Sequence, residues 1–137
     1  MNATEQKPRI LLVDDDDDMV EICSRLLPRK GYELIVARNA ERAVETARTE
    51  RPDLILMDMR MPLSDSEPVD DRAGLQATRK IRALPELDGA PIIALTGHMM
   101  TKFRESIVEA GCADWLAKPI DNFSKLLDMI DRHLPPA

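Results

Sequence analysis

Apolar residues along this chain come in two alternating rhythms. Short continuous runs, such as Ile10-Leu11-Leu12-Val13 and Leu54-Ile55-Leu56-Met57, are separated by longer stretches in which apolar residues recur every three or four positions. The short runs are bounded by prolines and polar residues, which suits strands buried on both faces. Five such strands are predicted, at Arg9 to Val13, Glu33 to Ala37, Asp53 to Asp58, Pro91 to Gly97 and Asp114 to Pro119. After the first strand Met19, Ile22, Cys23, Leu26 and Leu27 mark one face of a helix that Pro28 should stop or kink near Leu27, with Gly31 completing the exit. Asn39 is a plausible cap for a second helix whose inward face is Ala40, Ala43, Val44 and Ala47. Gly74 opens a third through Leu75, Thr78 and Ile81, ending before Pro85. The fourth turns Phe103, Ile107 and Ala110 inward and is closed by Gly111. Asp121 caps the fifth, which buries Phe123, Leu126, Leu127, Ile130 and Leu134. One irregular region, Leu63 to Ala73, reads as an exposed acidic loop.

Strict alternation of five strands with five helices predicts an α/β domain, because right-handed crossovers lay the helices on both faces of a parallel sheet. Residues 1–8 are polar and predict a disordered lead-in, residues 9–134 a single domain, and residues 135–137 a short tail.

Composition narrows the function. With 137 residues, 44% hydrophobic and 32% charged, the chain supports one core. No apolar run approaches the roughly 20 residues of a membrane span, and the amino terminus lacks the layout of a signal peptide, so a cytoplasmic location is expected. A formal charge of −6 and the absence of a basic patch argue against nucleic acid and favour a protein partner. Cys23 and Cys112 have no metal-ligand spacing and read as buried, inert thiols.

The chemistry gathers at strand ends. The first strand runs into Asp14-Asp15, the third ends on Asp58, the fourth on Thr96 and the fifth on Lys118. In an open parallel sheet these ends share one rim, where ligands bind. Three carboxylates within about 4 Å would repel by about 4 kcal/mol per pair at an effective dielectric near 20, so either a proton or a cation must resolve the conflict. Oxygen-only ligands suit magnesium. Lys118 and the Thr96 hydroxyl can each hold a phosphoryl oxygen, which completes a phosphoryl-transfer site with a carboxylate nucleophile.

Four signals in order, Val13-Asp14-Asp15, Leu56-Met57-Asp58 with Met61-Pro62 beyond it, Leu95-Thr96-Gly97 and Lys118-Pro119, make the chain resemble the receiver domain of bacterial two-component response regulators. The resemblance covers Arg9 to Leu134. It implies a doubly wound sheet in the flavodoxin-like order 2-1-3-4-5, a phosphoryl group accepted on Asp58 from a partner's phosphohistidine, and Mg2+ held by Asp14, Asp15, Asp58 and the Arg60 backbone carbonyl. It further implies that Thr96 and Lys118 sense the phosphoryl oxygens, that Trp115 is the switch aromatic, and that the Lys118-Pro119 bond is cis. Arg60 and His98 fall at the flanking positions that tune hydrolysis of the acyl phosphate in this family. The expected partners are a sensor histidine kinase or histidine phosphotransfer protein and a downstream protein target, with no nucleic acid and no membrane. That target would read the face formed by the fourth helix, fifth strand and fifth helix. With nothing but Pro135-Pro136-Ala137 after Leu134, output is expected through protein contact, and Met1 favours a stand-alone protein over a module of a hybrid kinase.

The chain departs from the family pattern in two respects: Trp115 is bulkier than the commoner tyrosine or phenylalanine, which argues against an ordinary inward swing, and the loop beside Asp58 is long. Gly74 lies twelve residues beyond Pro62 where about four are usual, so the acidic loop is an insertion beside Asp58, either a tolerated surface loop or an acid cluster that gates access to Asp58 or chooses the kinase. Three other readings compete for the aspartates. Asp16 to Asp18 favour the positive end of the first helix. A calcium loop fails, because Met19 and Arg25 stand where glycine and glutamate belong. A haloacid-dehalogenase-type phosphatase would use Asp14 as nucleophile and Asp16 as acid, but Asp18 departs from that motif. The expectation is therefore a phosphoacceptor and not a turnover enzyme. A phosphate-independent interaction module on the same fold is the alternative.

Overall fold

The computed structural model describes residues 7–97 and 100–134, without the side chains of residues 100–103. Its elements are β1 (Arg9–Val13), α1 (Asp17–Arg29), β2 (Glu33–Ala37), α2 (Ala40–Glu50), β3 (Leu54–Asp58), β4 (Met61–Pro62), β5 (Val69–Asp70), α3 (Ala73–Arg82), β6 (Ile92–Thr96), α4 (Met100–Ala110), β7 (Asp114–Ala117) and α5 (Phe123–His133). The main sheet is parallel in the order β2-β1-β3-β6-β7. This is the flavodoxin-like order expected from the sequence, once the two-residue strands β4 and β5 are set aside.

Strand periodicity sorts the core into two layers. Leu11, Val13, Ile55, Met57 and Ala94 point to one face, where α2, α3 and α4 cover them. Ile10, Leu12, Leu54, Leu56, Ile93 and Leu95 point to the other, against α1 and α5. Every residue of β3 and β6 is buried, which is why those strands read as unbroken apolar runs. On α2 the buried residues are Ala40, Ala43 and Ala47, small enough to let the helix lie close on the sheet.

The boundaries bring several corrections. Helix α1 begins at Asp17, capped by Asp16, whose side chain accepts the Asp18 N–H. It also runs past Pro28 to Arg29 instead of stopping at Leu27, since a proline in the last turn forfeits only one bond of the ladder. The exit uses Gly31 at φ 90°, with its N–H donated to the Pro28 carbonyl. Asn122, and not Asp121, caps α5: the helix starts at Phe123, and the Asn122 side chain accepts the Ser124 N–H at 2.9 Å. Asn39 caps α2 as expected.

The segment 63–73 is more than an exposed loop. Strands β4 and β5 pair antiparallel, Met61 with Asp70 and Pro62 with Val69, and make a short hairpin. Residues 65–69 are exposed, but Met61 is fully buried and Ala73 already belongs to the buried face of α3. Most of the predicted lead-in and the predicted tail lie outside the described residues, as do His98 and the Phe103 side chain. Among the described residues no helix is long and apolar enough to cross a membrane.

Candidate functional site

Parallel register brings the strand ends together. Asp14 directly follows β1, whose Val13 pairs with Met57, and so it stands beside Asp58 at the same edge. Asp14 is fully buried and Asp58 is 4% exposed, whereas Asp15 is exposed. One carboxylate oxygen from each of the three lies within 4.8 Å of the others, a hard, oxygen-only donor set of the kind that magnesium takes.

Lys118 closes the site from the far side of the sheet. Its ammonium donates to Asp14 Oδ2 at 2.9 Å and stands 3.7 Å from Asp58 Oδ2. The Lys118 N–H donates to the Thr96 carbonyl at 2.7 Å, which ties the two sensing candidates through the backbone. Thr96 is itself buried at the end of β6. The Lys118-Pro119 bond is cis.

Local hydrogen bonds orient the carboxylates. Asp14 Oδ1 accepts the Asp16 N–H at 3.0 Å, and Asp58 Oδ1 accepts the Arg60 N–H at 3.4 Å. Burial and the neighbouring Asp14 carboxylate push the Asp58 carboxyl up to about 8, against the pull of Lys118. Asp15, exposed but partly desolvated at the cleft wall and beside Asp14, is also raised. Burial pulls Lys118 down, but its hydrogen bond to Asp14 and the nearby Asp58 and Asp14 charges outweigh that, and the ammonium is held above its ordinary value. A site that makes Asp58 costly to ionise gains from any cation that enters it.

The cleft over these groups, about 520 Å³, is lined by Asp15, Asp58, Arg60, Asp71, Gly97 and Lys118. Asp71 comes from the insertion. Its Oδ1 accepts the Arg60 Nε–H at 2.9 Å across the mouth of the cleft. The hairpin is anchored at its other end, where Asp65 Oδ1 accepts from Asn39 Nδ2 at 2.7 Å and from Arg42 Nε at 2.9 Å. Gly74 fits where no other residue would: a Cβ there would lie 2.3 Å from the Asp58 carbonyl oxygen and 2.6 Å from Met59 Cα.

Trp115 occupies β7, half-buried against the core layer of α2, α3 and α4, and the Arg104 guanidinium lies 5.0 Å from the ring centroid. Cys23 and Cys112 are free and buried, with burial pushing the thiols up to about 12 and about 11. Their burial agrees with the reading of the sequence, and neither lines the cleft. The Arg60–Asp71 pair, the Arg104–Trp115 contact and the Asp65 anchor have no signature in the sequence. Each depends on a pairing between distant segments, and an acid in an insertion carries no mark of its partner.

Comparison with known proteins agrees with this geometry. Residues 10–131 match the response regulator receiver domain family, and the chain belongs to it. The polar-differentiation response regulator DivK of Brucella anthropi is 32% identical over 128 residues, covering 93% of this chain and 97% of DivK. Sensor protein GacS of Pseudomonas syringae pv. syringae is 35% identical over 120 residues, which are 85% of this chain but 12% of GacS. Among solved structures, the receiver domain of sensor histidine kinase PA1611 from Pseudomonas aeruginosa superposes with a TM-score of 0.78 at 34% identity, covering 92% of this chain and 96% of that domain. That structure has a magnesium ion coordinated in its active site cleft.

Proposed function

We propose that the chain is a single receiver domain spanning residues 9–134 that accepts a phosphoryl group on Asp58 from the phosphohistidine of a sensor kinase or histidine phosphotransfer protein. The observation that carries this reading is the Lys118 ammonium placed between Asp14 and Asp58, beside a third carboxylate, at the carboxyl edge of the sheet. Asp14, Asp15, Asp58 and the Arg60 carbonyl are the groups that would hold Mg2+, which supplies charge neutralisation between nucleophile and phosphoryl oxygens.

In the transfer, an Asp58 carboxylate oxygen attacks phosphorus, the phosphorus–nitrogen bond to the partner's imidazole breaks, and the imidazole leaves. The β3 backbone fixes the nucleophile. Lys118 holds a phosphoryl oxygen that would otherwise face Asp14, and Thr96, at the end of a neighbouring strand, offers its hydroxyl to another. The phosphoryl group, with a charge of roughly −1.5 to −2, then draws Thr96 and Lys118 to its oxygens, and Trp115 and the surface of α4, β7 and α5 carry the change to a downstream protein.

Intact-mass measurement after incubation with acetyl phosphate and Mg2+ tests the proposal. The parent should gain one phosphoryl group and an Asp58→Asn variant none. An unmodified parent would instead support a phosphate-independent interaction module.

A further inference from the structure

We propose that Asp71, contributed by the inserted hairpin, is a positioning residue for the Asp58 site. It holds the Arg60 side chain at the cleft mouth in the resting protein and competes with the phosphoryl group for it once Asp58 is modified. The inference rests on the phosphoacceptor reading of Asp58.

Three observations carry it. Arg60 and Asp71 both line the cleft that contains Asp58 and Lys118, so their pairing takes place at the mouth of the reaction site. The pair is exposed, with side chains 65% and 71% accessible, and an ion pair in water is weak enough to exchange partners. The hairpin that presents Asp71 is held independently: Asp65 is bonded to Asn39 and Arg42, the Leu63 carbonyl accepts the Glu41 N–H, and β4 pairs with β5. Asp71 therefore stays in place whether or not it keeps Arg60.

Arg60 also starts close to the acceptor, since its backbone N–H already donates to Asp58 Oδ1. Phosphorylation sets a group of nearly two negative charges against the single charge of Asp71, and the planar guanidinium fork fits phosphoryl oxygens. Arg60 is then shared between the two anions, and Asp71 determines the share. The share matters for the lifetime of the modified state. Hydrolysis proceeds by attack of water on phosphorus. The bond from phosphorus to the Asp58 oxygen breaks, leaving the carboxylate and inorganic phosphate, with the water's protons passing to phosphate and solvent. A guanidinium lying on the phosphoryl oxygens obstructs that attack, so Asp71, by drawing Arg60 away, shortens the lifetime.

The test follows decay of the phosphorylated mass in the parent, Asp71→Asn, Asp71→Glu, Arg60→Ala and the Arg60→Ala/Asp71→Asn double variant, each first shown to take up one phosphoryl group. Asp71→Asn should lengthen the half-life about threefold, the factor an exposed pair can carry. Asp71→Glu should return it toward the parent value, and Asp71→Asn should have no effect when Arg60 is absent. A half-life unchanged by Asp71→Asn, or lengthened equally without Arg60, overturns the proposal while leaving the phosphoacceptor reading intact. Failure of the parent to take up phosphoryl overturns both.

Discussion

At the floor of the cleft, Asp14 and Asp58 are 0% and 4% exposed and share one ammonium, whereas at its mouth Arg60 and Asp71 pair in nearly open water. Both places hold opposite charges within hydrogen-bond reach. Burial makes the difference: with apolar strands behind it, a carboxylate at the floor cannot be solvated, so its charge state depends on what enters the cleft. At the mouth, water screens the pair and leaves it free to rearrange. The floor is therefore suited to chemistry and the mouth to adjustment.

The largest expected effect that would break this contrast is on the floor's pH dependence. A carboxyl raised from an unfolded value of 3.8 to about 8 binds a proton more tightly in the native state, so without divalent ions the contribution of Asp58 to stability is fully present below about pH 4 and is lost as pH rises toward 8. Urea unfolding should show that fall to be on the order of a few kcal/mol. Asp58→Asn should flatten it. Saturating Mg2+ should oppose it by binding the native state and displacing the proton. A flat profile in the metal-free parent would put the floor on the same footing as the mouth.

Next in size is Lys118→Met, which leaves two buried carboxylates without their cation and should cost about 3 kcal/mol at pH 8. The cost should shrink at pH 5, where Asp58 takes up a proton, and paired urea titrations at the two values would show it. Gly74→Ala addresses the seam between floor and mouth. Its new methyl would meet backbone at Asp58 and Met59, so about 2 kcal/mol of stability should be lost, read from the shift in the urea midpoint. Smallest is Arg60→Ala, expected to move the same midpoint by less than about 1 kcal/mol. A larger shift would mean that the mouth is structural after all.

The sequence foreshadowed much of this. Unbroken apolar runs marked β3 and β6 because both their faces are covered, and the run-then-aspartate design of β1 and β3 placed Asp14 and Asp58 at strand ends before any register was known. Asn39 was recognisable as a cap. Asp121 was mistaken for one because two polar residues stood side by side and only the start of α5 at Phe123 selects Asn122. The insertion was visible in the twelve-residue step from Pro62 to Gly74, but its hairpin was not, since two residues per strand leave no period to detect.

What the chain determines by itself is therefore the alternation of strands and helices and the charged groups that stand at the strand ends, because both depend on local periodicity and side-chain chemistry. The tertiary structure alone decided that Lys118 stands between Asp14 and Asp58, that Asp71 reaches Arg60, and that Gly74 must be glycine. Each of these is a contact between segments far apart in sequence, and its geometry is set by sheet register and helix packing, which no single residue encodes.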